Sequence, residues 1–232
     1  MNIVKRNVMT VVIVAIIALL FVGAKVSAAN TPTLNQTINA GTLTTDILDG
    51  SRVAVGSPAA AFSAKTFSFD CQYGGSASTA NLGTGTERVY VINPNAANNG
   101  WTLSIAATAG VTALWQNGGL TQNYDFNDPT GANPGCNDGV DTDSKAGQLT
   151  INPTASTINL DCLTCTSTNV TKGSSSAFNQ GTTDAITLLN AAAASDDIWR
   201  GYLTGVAMSQ TIPAEQPADS YSVNMTITVT AN

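Results

Sequence analysis

A strict alternation of apolar and polar side chains near the C-terminal end constrains this chain more than any other feature. In Tyr221-Ser222-Val223-Asn224-Met225-Thr226-Ile227-Thr228-Val229-Thr230 every odd position is apolar and every even one polar. Successive side chains of a strand point to opposite faces, so this period marks a β-strand with one face on a core and the other in water. The pattern recurs at Phe67, Phe69 and Cys71, at Trp101, Leu103 and Ile105, and more briefly at Leu149 with Ile151 and Ile186 with Leu188. Further strands are expected near residues 34–38, 42–48, 87–92, 157–160 and 205–212. Composition agrees: threonine fills 32 positions while charged residues make up 10% of the chain, a balance poor for helix surfaces and suited to strands. Only residues 188–196, with their alanine run, predict a turn or two of helix. The expected fold class is all-β, a β-sandwich with a long acidic loop insertion and at most one short helix.

The 232 residues begin with Lys5 and Arg6, an aliphatic run from Val11 to Val22, and small residues at Val26-Ser27-Ala28. That order is a secretory signal with cleavage expected near Ala28, and the apolar run of about 14 residues is short for a span of ~20. Residues 1–28 are therefore expected to be a signal peptide and residues 29–232 one β-sandwich domain, with residues 114–147 as its loop insertion. Membrane contact is expected only through an uncleaved leader. No cysteine follows the leader to carry a lipid and no LPxTG-like string stands near Asn232. Retention at a surface is thus expected to be non-covalent. The net charge is −6, and removing Lys5, Arg6 and Lys25 with the leader, and no acid, takes it to −9. The remaining cations, Arg52, Lys65, Arg88, Lys145, Lys172 and Arg200, lie singly along the chain. Nucleic acid is not an expected partner, because phosphate neutralisation needs a basic stripe.

Cys71, Cys136, Cys162 and Cys165 form an even set in an exported chain, which predicts two disulfides with three connectivities open. Cys162-Leu163-Thr164-Cys165 has redox spacing, yet threonine-rich sequence stands where a thioredoxin-like helix would begin. Asp125, Asn127, Asp128, Asp138, Asp141 and Asp143 are candidate calcium ligands: five of the 15 acids fall between residues 125 and 143. Calcium takes 6–8 oxygen ligands and would relieve their repulsion, although the fixed-position code of an EF-hand is absent. The alternative is a solvated acidic loop stapled at Cys136. Calcium is the one cofactor for which the sequence offers a candidate site, and no other is expected. The chain holds no histidine, which removes the Ser-His and Cys-His nucleophile pairs and the imidazole base. A carboxylate pair alone supports glycoside hydrolysis, but Glu87 and Glu215 are placed near strand ends or turns. Asp196 and Asp197, beside Trp199, would face opposite ways on a strand. No enzymatic activity is expected.

Val89-Tyr90-Val91-Ile92-Asn93 followed by Gly100-Trp101-Thr102-Leu103 resembles the first signature of WxL-domain proteins, non-covalently attached surface proteins of Gram-positive cell walls. The motif residues are Gly100, Trp101 and Leu103. At the position of the family's second Trp-x-Leu stands Ile227-Thr228-Val229. Thr211-Ile212-Pro213-Ala214, Ala218-Asp219-Ser220-Tyr221 and the last strand are similar to the closing hairpin of pilin-like secreted domains, including the spore-coat U type. The resemblances imply an Ig-like or WxL-like β-sandwich displayed at a bacterial cell surface as a structural or adhesive component, its partner either a cell-envelope polymer or other copies of itself. In the second case residues 29–41 would add a strand to a neighbour's open sheet edge. A carbohydrate-active enzyme is the third alternative. On its own pattern Trp101 belongs in the core with Leu103 and Ile105. Trp115 and Trp199 lie outside clean alternation and are expected as exposed surface contacts.

Overall fold

The computed structural model describes residues 34–96, 99–129, 132–139, 144–195 and 198–232. The expected signal peptide, residues 1–28, lies outside them. The chain divides into Met1–Ile38 and Asn39–Asn232. In the first unit, residues 34–38 form no strand, contrary to expectation, and Leu34 and Ile38 are 94% and 86% exposed. No ladder partner among the described residues takes up their backbone.

The second unit is all-β, with four antiparallel sheets and three single turns of 3-10 helix among the described residues. Its strands are β1 (Thr44–Leu48), β2 (Ser78–Leu82), β3 (Arg88–Asn93), β4 (Trp101–Ala107), β5 (Trp115–Asn117), β6 (Asn123–Tyr124), β7 (Gln148–Asn152) and β8 (Thr157–Leu160). There follow β9 (Val170–Lys172), β10 (Ser176–Ala177), β11 (Ala185–Ala191), β12 (Trp199–Thr204), β13 (Val206–Thr211), β14 (Tyr221–Ser222) and β15 (Met225–Ala231). The sheet orders are β1-β3-β12-β8, β15-β4-β11-β9, β10-β7-β13-β2 and β14-β5-β6.

Period two does the packing. On β4, Trp101, Leu103, Ile105 and Ala107 are buried and the residues between them are not. Across the core, Val89 and Val91 of β3 and Trp199 and Leu203 of β12 face them, and the rings of Trp101 and Trp199 meet at 5.2 Å. The first two sheets therefore pack face to face in a sandwich-like arrangement. Leu149 and Ile151 of β7 with Val206 and Met208 of β13 extend the same cluster. Burial of each large apolar side chain contributes about 1.5–3 kcal/mol.

Three expectations change. The alanine-rich stretch is not helical: residues 185–191 form β11, flanked by β4 and β9, with a register slip between Thr187 and Leu189. Pairing on both edges holds residues 188–191 in β11, residues 192–195 form a turn, and the slip lets Leu188 and Leu189 both be buried. Phe67 and Phe69 lie outside any strand, packed edge to face at 5.0 Å and exposed. The 114–147 insertion is not a bare loop, for it supplies β5 and β6, which continue to β14. The disulfides are Cys71–Cys136, closing 65 residues, and the local Cys162–Cys165.

Candidate functional site

The last strand alternates as predicted, but its inward side chains are incompletely covered: Met225, Ile227 and Val229 are only half-buried. β15 closes the sheet on one side, pairing with β4 from Met225↔Ala107 to Ala231↔Trp101. On its other side it is hydrogen-bonded to no strand among the described residues, while β1 of the facing sheet packs close to it. Beside it opens a cavity of about 690 Å³.

The residues that build this groove come from distant parts of the chain. One lip is residues 58–68, an extended run without a ladder, held by Ser63 N–H donating to Thr79 O at 2.8 Å and by Ser78 Oγ donating to Ser63 O at 2.6 Å. The other lip is Val223 with Met225 and Ile227 of β15. Ile105, Trp115, Leu149 and Met208 form the apolar floor. The end of the lip is anchored through Cys71–Cys136 and through Gln72, whose N–H donates to Ile212 O at 2.9 Å.

Trp115 is 8% exposed and Trp199 1%, so neither is the exposed surface contact that was expected. Trp115 stacks on Tyr124 at 5.9 Å, meets Phe62 edge to face at 5.2 Å, and donates its Nε1–H to Gln210 Oε1 at 2.9 Å. Gln210 is buried and donates onward to the carbonyls of Asp125 and Thr211, so these polar groups stabilise the floor. Burial pushes the Tyr124 hydroxyl pKa well above its usual value. Trp199 escaped the alternation because Gly201 is its inward neighbour. A Cβ on Gly201 would lie 2.6 Å from the Trp199 ring, so the glycine is the space into which the indole packs. Trp199 Nε1–H donates to Thr166 O at 3.0 Å.

The Gly100, Trp101, Leu103 motif has a packing role. Gly100 has φ +73°, and a Cβ there would lie 2.3 Å from Ala191 O. The glycine lets the chain enter β4 against the end of β11, while Trp101 and Leu103 fill the core.

The structure describes four of the six candidate calcium ligands. Asp125, Asn127 and Asp128 are buried, not gathered on a solvated loop. Phe126 draws the segment inward onto Phe178 at 5.1 Å, and Leu149 N–H donates to Phe126 O. Asp125 Oδ1 accepts from the N–H of Phe126 at 2.6 Å, and Asn127 Nδ2 donates to Val111 O at 2.8 Å. Asp138 is exposed, and Asp141 and Asp143 lie outside the described residues. Among the described residues no three His, Cys, Asp or Glu side chains stand together as metal ligands. Asp196 and Asp197 also lie outside the described residues. Glu87 is occupied by the chain itself, accepting from Ala59 N–H at 3.3 Å.

The groove thus offers apolar surface and a strand edge. Compared with known proteins, the chain matches no family model, no curated protein and no solved structure. Sequence reasoning found β15 but missed the groove, because its other lip carries no periodic signal.

Proposed function

We propose that this is a secreted structural protein of the bacterial cell surface, held non-covalently to the cell envelope, whose copies join by strand addition. The observation that carries the reading is the half-covered inner face of an edge strand beside an apolar groove. An exposed edge presents a row of N–H and C=O groups that an extended peptide satisfies, while alternate side chains fill the space below. An acyl chain would fill the apolar space and leave the backbone edge unpaired.

The chain carries a segment of fitting chemistry. Leu34, Gln36, Ile38 and Ala40 share one face of an extended run. Residues 34–40 match the seven residues of β15 in length. Burying Leu34 and Ile38 from a second copy would contribute about 1.5–3 kcal/mol each. Head-to-tail addition does not close on itself unless the rotation happens to form a ring, so it builds filaments. The WxL-like and pilin-like resemblances support the same surface setting.

The test uses the secreted form with and without residues 29–38. The intact form should give large particles in analytical ultracentrifugation, and the truncated form should be monomeric and bind a synthetic peptide of residues 29–41. Monomers of the intact form at all concentrations, together with no peptide binding, would refute strand addition.

A further inference from the structure

A second site lies on the outer face of the β1-β3-β12-β8 sheet and is carried by separate observations. The alternation that sends Trp199 and Leu203 inward sends Arg200, Tyr202 and Thr204 outward, with Tyr202 directly opposite Tyr90 of β3 and against Arg88. Three of the cations that lie singly in the sequence, Arg52, Arg88 and Arg200, therefore share one face. Two of them share a single carboxylate there. Arg52 grips Asp161 through Nε at 2.6 Å and Nη2 at 2.7 Å. Arg200 Nε donates to Asp161 O at 2.7 Å and stands 3.4 Å from its carboxylate. Tyr90 OH also donates to that carboxylate, at 3.2 Å.

Arg88 differs. Its guanidinium lies over the Tyr202 ring at 4.7 Å, and its Nε donates to Gly85 O at 3.0 Å. Among the described residues it forms no ion pair. Stacking and the carbonyl bond hold the planar fork in one pose, which lowers the entropy cost of a further bond. Beside it opens a shallow cleft of about 440 Å³ whose lining contains no carboxylate. The remaining polar groups there are the hydroxyls of Thr84, Thr157 and Thr204 and the amide of Asn159. Among the described residues Asn159 Nδ2 donates only long bonds, at 3.3 Å, to Thr157 O and Thr204 Oγ1.

We infer that this cleft binds an anionic sugar or polyol unit, its carboxylate or phosphate taken by Arg88 and its hydroxyls by Asn159, Thr157 and Thr204. A guanidinium fork matches either oxyanion in two-point geometry. A planar amide among hydroxyls matches a polyol, and an open cleft admits an interior unit of a polymer. Nucleic acid fits poorly, because its phosphate density needs a stripe of unneutralised cations and Asp161 engages the other two. The net charge of −9 expected for the exported chain makes a single site weak and favours a polymer with repeated units, bound by many copies at once. This inference does not rest on strand addition.

The experiment is calorimetric titration of the secreted form at low ionic strength with tetragalacturonate, with a glycerol-phosphate oligomer and with neutral cellotetraose. Saturable binding of either anionic probe, at least tenfold tighter than cellotetraose, is the expected result, and which probe binds identifies the anion. Arg88→Ala and Asn159→Asp should each weaken it at least tenfold without changing the thermal midpoint by more than a few degrees. Asn159→Asp places a carboxylate in the cleft while leaving the arginine in place. Arg88→Lys should not restore binding, since it keeps the charge and loses the fork. No saturation by either anionic probe, equal binding of cellotetraose, or undiminished binding by Arg88→Ala overturns the inference. Both variants should still form particles and, when truncated, bind the 29–41 peptide, so either proposal can fail alone.

Discussion

β4 and β15 are adjacent strands with the same alternation, paired residue by residue, yet they live in different environments. Ile105 of β4 and Ile227 of β15 are direct cross-strand partners and point to the same side of the sheet. Ile105 is buried and Ile227 half-buried. β4 has β15 on one side and β11 on the other, whereas β15 has β4 alone. Alternation tells which face a side chain joins, while the number of neighbours decides how well it is covered. The strand with the cleanest pattern in the chain is therefore the one left open.

The largest effect that sharpens this contrast should come from the Cys71–Cys136 bond, which anchors the end of the groove's free lip. Closing 65 residues stabilises by about 4 kcal/mol in the chain-entropy account. Cys71→Ser with Cys136→Ser should lower the denaturant midpoint accordingly, and more than Cys162→Ser with Cys165→Ser. Equal losses would mean that the lip needs no anchor. Next comes the isoleucine pair. Ile105→Ala should cost about 3 kcal/mol, in the range for a buried aliphatic side chain. Ile227→Ala should cost about 1–2 kcal/mol, because much of its surface is already in water. Equal costs in chemical unfolding would break the comparison. If a strand does fill the groove, the cost of Ile227→Ala should rise once the 29–41 peptide is bound.

The smallest effect is a control on the other face. The Arg52 guanidinium, by hydrogen bonding, holds the Asp161 carboxyl below the usual aspartate range, with a smaller contribution from Arg200. A depressed folded pKa stabilises above the unfolded value of about 3.9 and loses that contribution as pH falls through the folded value. Arg52→Ala should thus destabilise only slightly at pH 7, as loss of an exposed ion pair does, and the difference should fade in acid. Thermal melts between pH 7 and pH 2 check this. A difference that grows on acidification would contradict the assignment.

Several strands were legible because their alternation is uninterrupted: β4, β7 and β15 fall where the pattern places them. β12 was not, since Gly201 stands where an apolar residue would complete the series with Trp199 and Leu203. Residues 125–128 looked like a solvated acidic loop because their partners, Val111 O and the N–H of Gln180, are remote in sequence. Polar residues are buried when distant backbone meets their hydrogen bonds, and no local pattern records that. The cleft at Arg88 was hidden similarly, its lining being drawn from β3, β8 and β12 and their connections.

By itself the sequence determined the class of fold and the inward face of several strands, because period two is a property of one strand and needs no partner. It also excluded imidazole chemistry, since no histidine is present. Only the tertiary structure decided which strand became an edge, which aspartates went inside, which cysteines paired and which arginine stayed outside an ion pair. Each of these depends on segments tens of residues apart arriving at one place. Such meetings are selected by the free energy of the whole packed arrangement, not by any window of the chain.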